Sequence, residues 1–93
     1  MIQSFRCKHT EALFLGQACH RQWRAFRNVA ERKLAMLDEA RSLDDLRVPP
    51  ANKLHALRED RAGQHAIRIN DQFRICFVWT TKGPTNVEIV DYH

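Results

Sequence analysis

Between residues 66 and 79 the bulkiest apolar side chains fall on one parity: Ile67, Ile69, Phe73, Ile75, Phe77 and Trp79 are all odd-numbered. Strict alternation is the signature of strands with one buried face. It predicts strands over residues 66–69 and 73–79. These can share a face only if the connection holds an odd number of residues. A three-residue loop of Asn70, Asp71 and Gln72 pairs Ile69 with Phe73 and Arg68 with Arg74. The odd face then needs a cover. The even face carries two arginines side by side, which destabilises a strand pair. Either an anion relieves them or both splay into solvent.

The cover is visible upstream. Trp23, Phe26, Ala30, Leu34 and Leu37 are spaced by 3, 4, 4 and 3, which predicts an amphipathic helix over about residues 22–41. A shorter helix is expected over residues 11–15, with Thr10 as its cap and Gly16 as its stop. Ser42-Leu43-Asp44-Asp45 reads as a capping signal for a short helical turn, ended by Pro49-Pro50. Further strands are expected over residues 2–7, 53–58 and 85–90, with a turn at Thr81-Lys82-Gly83-Pro84. The fold class is α+β, a small antiparallel sheet with two helices from the N-terminal half packed on one face. Ninety-three residues form a single domain, 1–93.

Composition excludes several classes. With 44% hydrophobic and 28% charged residues the chain is not disordered. No apolar run suits a membrane span or a signal peptide. Three cysteines, Cys7, Cys19 and Cys76, suit reduced thiols and a cytoplasmic location better than a disulfide scaffold. The net charge of +4 permits a phosphate-bearing partner without demanding one. Cys7, His9, Cys19 and His20 match no usual zinc spacing. A buried Cys7 with surface His9 and His20 is expected instead, and His65 is expected to be exposed.

Two histidines have chemically suggestive neighbours. His55 stands between Lys53 and Arg58, and the last residues are Asp91-Tyr92-His93. Two imidazoles, a carboxylate and arginines are the groups that metal-free RNA cleavage uses. A base takes the 2′-OH proton, a cation stabilises the phosphate oxygens, and an acid protonates the leaving 5′-oxygen. Imidazole suits both transfers because its ordinary pKa is near neutrality. An aromatic ring such as that of Tyr92 can stack on a base. The alternative is that His55 is a histidine at the edge of the core.

The residues Ile2-Gln3-Ser4-Phe5, Lys53-Leu54-His55-Ala56-Leu57-Arg58-Glu59-Asp60-Arg61, Ala66 to Phe77 and Val90-Asp91-Tyr92-His93 together resemble the HigB-type toxins. These are also called the plasmid maintenance system killer family, within the RelE-like superfamily. The resemblance implies a RelE-like fold and the toxin half of a type II toxin–antitoxin pair. It also implies ribosome-dependent endonucleolytic cleavage of mRNA in the A site, leaving a 2′,3′-cyclic phosphate and inhibiting translation. No cofactor or metal is expected.

The implied catalytic residues are His55, Asp91, Tyr92, His93 and Arg74, with Arg68, Lys53 and Arg58 as RNA or phosphate contacts. His93 or Asp91 would be the base and His55 the acid, labels that can be exchanged. The implied partners are the ribosome with its mRNA and a HigA-like helix-turn-helix antitoxin, through which alone operator DNA is reached. No membrane is involved. The chain departs from the family pattern at Ala56, commonly Pro, and at Arg58-Glu59, commonly Lys-Gly, where loss of glycine is expected to alter the turn. The alternative functions are a non-catalytic module that binds the antitoxin and tunes operator repression, and a nuclease for free RNA.

Overall fold

The computed structural model describes residues 1–91. Helix α1 spans Lys8–Phe14 and helix α2 spans Arg27–Glu39. Four strands follow: β1 His55–Ala56, β2 His65–Arg68, β3 Phe73–Thr80 and β4 Gly83–Asp91. They form one antiparallel sheet in the order β1-β2-β3-β4. Among the described residues no helix is long and apolar enough to cross a membrane.

The parity argument holds. Arg68 pairs with Arg74, and the Ile69 N–H donates to the Phe73 carbonyl at 3.0 Å, so the connection has three residues. Its Asn70 carboxamide oxygen accepts from the Gln72 and Phe73 N–H groups at 2.9 and 2.8 Å, closing the loop in the manner of an Asx turn. Ile67, Ile69, Phe73, Ile75 and Phe77 all enter the main core with Ala30, Leu34 and Leu37 of α2. Removing these chains from water is the main favourable term in the fold.

Several expected elements differ in detail. The expected long helix begins as a 3₁₀ turn, Arg21–Phe26, before α2 proper. Its apolar stripe still points inward, with Trp23 buried and the Phe26 ring 4.8 Å from that of Phe73. Thr10 does not cap α1, which starts at Lys8. Its hydroxyl is buried and accepts the Ile89 N–H at 3.0 Å, tying α1 to β4. Residues 2–7 do not make a full strand; Phe5 forms a single parallel bridge to Val87.

Ser42 and Asp45 do form a capping box over a short 3₁₀ turn, Leu43–Arg47. The Arg41 and Ser42 N–H groups donate to Asp45 and hold its carboxyl below the usual range. The turn before β4 is tighter than expected, and Gly83 already belongs to the strand. Its φ is +126°, and the Met1 carbonyl leaves no room for a Cβ. A bulge between β3 and β4 places Asn86 in the left-handed region with φ 52°.

The helix pattern also conceals a polar contact. Lys33 of α2 is only 5% exposed, and its ammonium donates to the buried Asn52 carboxamide. Asn52 in turn donates to the Leu46 carbonyl at 3.1 Å. Burial, then the charges of Arg32 and Arg68, lowers the Lys33 pKa. This network ties α2 to the segment that leads into β1.

Candidate active site

The sheet has two faces. Register pairs His55 with Ala66, Ala66 with Cys76, and Cys76 with Glu88. Directly paired residues share a face. His55 therefore projects on the even face, away from the helices. A small apolar floor of Leu57, Ala66 and Cys76, with Val90 against it, lies on that face. The next row is Arg68, Arg74 and Val90. One step of two residues along a strand separates His55 from this cationic row, about 7 Å.

The two arginines are relieved within the chain. Arg68 forms an ion pair with Asp71 of the connecting loop. Arg74 donates to the Asn70 carbonyl and, at 3.1 Å, to the Phe73 carbonyl. The bond and charge of Arg68 hold the Asp71 carboxyl below the usual carboxylate range, and Lys53 and Arg74 add to the effect. Sequence reasoning treated Asp71 only as a turn residue; its i+3 spacing from Arg68 was the available signal.

Lys53 takes a left-handed backbone, φ 48°, so the strand expected over residues 53–58 shortens to His55–Ala56. The His55 ring Nδ1 lies 2.9 Å from the Lys53 carbonyl. A carbonyl only accepts, so Nδ1 carries a proton, and in the neutral ring the lone pair is on Nε2. His55 is exposed at the sheet edge.

Beside it opens a cleft of about 470 Å³ lined by His55, Ala56, Leu57, Arg58 and Glu59. Glu59 has φ 55°. Glu59 therefore holds a left-handed backbone, a conformation that favours glycine. The left-handed conformation costs a non-glycine residue about 1 kcal/mol. Behind the cleft, Arg61 donates to Glu88 at 3.2 Å and to Gln64 at 3.1 Å, spanning the apolar floor.

Asp91 ends β4 at the opposite edge of the sheet from His55. Three strand spacings separate those edges, about 14 Å. Register pairs Asp91 with Phe73 and so sets it on the helix-side face, opposite to the Arg68–Arg74–Val90 row, and the Gln72 side chain donates to its carboxylate at 3.0 Å. The structure therefore brings Arg68 and Arg74 together one row from His55, and does not bring Asp91 to His55. Tyr92 and His93 lie outside the described residues.

The remaining histidines are placed differently from expectation. His65 is not exposed: it begins β2 half-buried, stacked on Phe77 with ring centroids 6.3 Å apart. Cys7 is half-buried rather than buried. His9 is exposed and His20 half-buried, their rings edge to face at 4.7 Å beside Trp23. The His20 ring accepts the Gln22 N–H at 3.1 Å, which opens the 3₁₀ turn.

The chain is similar to known proteins over nearly its whole length. A family model described as the RelE-like toxin of type II toxin–antitoxin system HigB matches residues 3–93. Toxin HigB-1 of Vibrio cholerae serotype O1 is 35% identical over 80 residues, covering 85% of this chain and 84% of that protein. An uncharacterised protein of Haemophilus influenzae is 34% identical over 59 residues, 63% of this chain and 58% of that one.

Proposed function

The chain belongs to the HigB family of RelE-like toxins of type II toxin–antitoxin systems, and we propose that it is a ribosome-dependent mRNA endonuclease. The observation that carries this reading is the placement of His55 one row from Arg68 and Arg74 on the open face of the sheet. An imidazole and two guanidiniums at that spacing can address one phosphodiester. The guanidiniums stabilise charge on its non-bridging oxygens, and His55, acting through Nε2, exchanges a proton with a bridging oxygen.

The strand carrying Asp91 is too far from His55 for direct contact, so a substrate lying across β2 and β3 would connect them. In this mechanism His93 takes the 2′-OH proton, with Asp91, which register sets on the face of Phe73, assisting from the strand end, and the freed oxygen attacks the adjacent phosphorus. The 5′-oxygen leaves with the proton supplied from the other side, His55 in its imidazolium form being the assigned donor through Nε2. Tyr92 stacks on a neighbouring base. Lys53 and Arg58 contact the RNA backbone. The products are a 2′,3′-cyclic phosphate and a 5′-hydroxyl. Proton transfer and charge stabilisation suffice for this chemistry, so the chain treated with EDTA and then freed of it is expected to keep its activity on Mg²⁺-containing ribosomes.

Arg68 and Arg74 already have intramolecular acceptors, and the net charge is only +4. Weak capture of free RNA follows, and the ribosome would hold the message. The toxin–antitoxin family implies an antitoxin partner. We assign this role to a HigA-like helix-turn-helix protein that links the toxin to operator DNA, and place the activity in the cytoplasm with the ribosomes.

The test is expression of the chain alone, followed by end-mapping of cellular mRNA. Translation arrest with cuts inside codons, relieved by His55→Ala and by His93→Ala in folded protein, is the expected result. Arrest without cleavage, or unchanged cleavage by both variants, would overturn the assignment. Binding to the antitoxin without any arrest would favour the non-catalytic module.

A further inference from the structure

The open face is polar along the strand direction, and His55 stands at the change. On one side are Arg68 and Arg74, paired across β2 and β3 one row from His55. On the other, past the Leu57 N–H that donates to the Gln64 carbonyl at 2.9 Å, the chain turns into the cleft bordered by Arg58 and Glu59. A nucleotide has the same polarity, with an anionic phosphate at one end and a neutral, hydrogen-bonding base at the other. With its phosphate on the cationic side it extends its base into the cleft.

We propose that Glu59 is a base-specificity residue, whose carboxylate accepts hydrogen bonds from a nucleobase bearing an exocyclic amino group and disfavours uracil. The inference rests on the ribonuclease reading above and extends it to the choice of base. Glu59 lines the same cavity as His55, so it is within a nucleoside's reach of the reacting centre. Its negative charge makes that end of the cleft unsuited to phosphate.

An ionised carboxylate only accepts hydrogen bonds. Adenine, cytosine and guanine each present an amino donor. Uracil presents one N–H flanked by two carbonyl oxygens, which the carboxylate repels. The positive φ of Glu59 shows that the residue is held in a backbone state that glycine would occupy without strain. The turn therefore does not explain why a glutamate stands there.

The experiment measures kcat/KM for cleavage on ribosomes programmed with A-site codons in which each position in turn is changed to uridine. Wild type, Glu59→Gly and Glu59→Gln are compared. The expected wild-type result is a loss of about tenfold for uridine at one codon position, the size of one charge-assisted hydrogen bond. Glu59→Gly relieves the left-handed backbone and should fold at least as well. It should reduce that preference to about twofold, leaving the other positions alone. Glu59→Gln keeps one acceptor oxygen and should fall between.

An unchanged base preference in Glu59→Gly would overturn the proposal. So would an equal rise in cleavage of every codon, which would mean that the carboxylate only repels RNA. A wild-type chain that cleaves none of the codons would instead remove the ribonuclease reading, and this inference with it.

Discussion

The two faces of the sheet are built from the same strands and have opposite tasks. On the helix side Ile67, Ile75, Phe77, Val87 and Ile89 are buried against α1 and α2. On the other side the apolar part shrinks to Leu57, Ala66, Cys76 and Val90, rimmed by His55, Arg68, Arg74, Arg61 and Glu88. Large side chains on the covered face supply stability. Small ones on the open face leave room for a ligand and hold the charged groups at its edge. Adjacent residues on one strand thus belong to different parts of the molecule, and substitutions one position apart should differ in kind.

The largest expected effect is on the covered side. Phe77→Ala should cost about 3–5 kcal/mol, a large share of the stability of a small domain, and should abolish folding and activity together. Denaturant unfolding measures it, and a loss below about 1 kcal/mol would mean that the helix layer is not the main source of stability.

His55→Ala breaks the comparison from the other side. Cleavage should fall by about 100-fold or more, with the unfolding midpoint nearly unchanged. A stability loss comparable to that of Phe77→Ala would make His55 a structural residue.

Asn52→Ala tests the link between the two sides. Removing the carboxamide leaves the Lys33 amine buried without its acceptor, at a cost of about 1–3 kcal/mol. The loss should ease as pH rises and Lys33, its pKa already lowered by burial, gives up its proton. A loss that does not vary with pH would exclude the ammonium as its source.

The smallest effect concerns Cys76, where burial pushes the thiol from 9.0 up to about 11. The folded state then holds the proton more tightly than the unfolded state. Its contribution is complete below pH 9 and is lost as pH rises to about 11. Cys76 should resist alkylation in the native protein at neutral pH, while the half-buried Cys7 and Cys19 react faster. Equal labelling of all three by mass spectrometry would show that the floor of the open face is accessible.

What could be read from residue order alone was the local and periodic part. Parity along residues 66–79 requires an odd-numbered loop, and three residues give the Arg68–Arg74 pair that the fold contains, because side chains alternate on a strand. The 3.6-residue repeat settles which helix faces the odd side. The Ser42–Asp45 cap was legible for the same reason, since its bonds span only a few residues. His55 and the arginines could be nominated by their chemistry.

Their grouping required the strand order β1-β2-β3-β4, which sets His55 beside Ala66 and sends Asp91 to the far edge. Local propensity carries no information about which strands become neighbours. The positions of Thr10, Lys33, Asn52, His65 and Asp71 were hidden for a related cause. Each is polar and suits an exposed position, and only contacts made by packing or loop closure bring Ile89, Asn52, Phe77 and Arg68 to them. Periodicity assigns a residue to a side of its own element, whereas distances between elements arise when the core closes and buried polar atoms find acceptors.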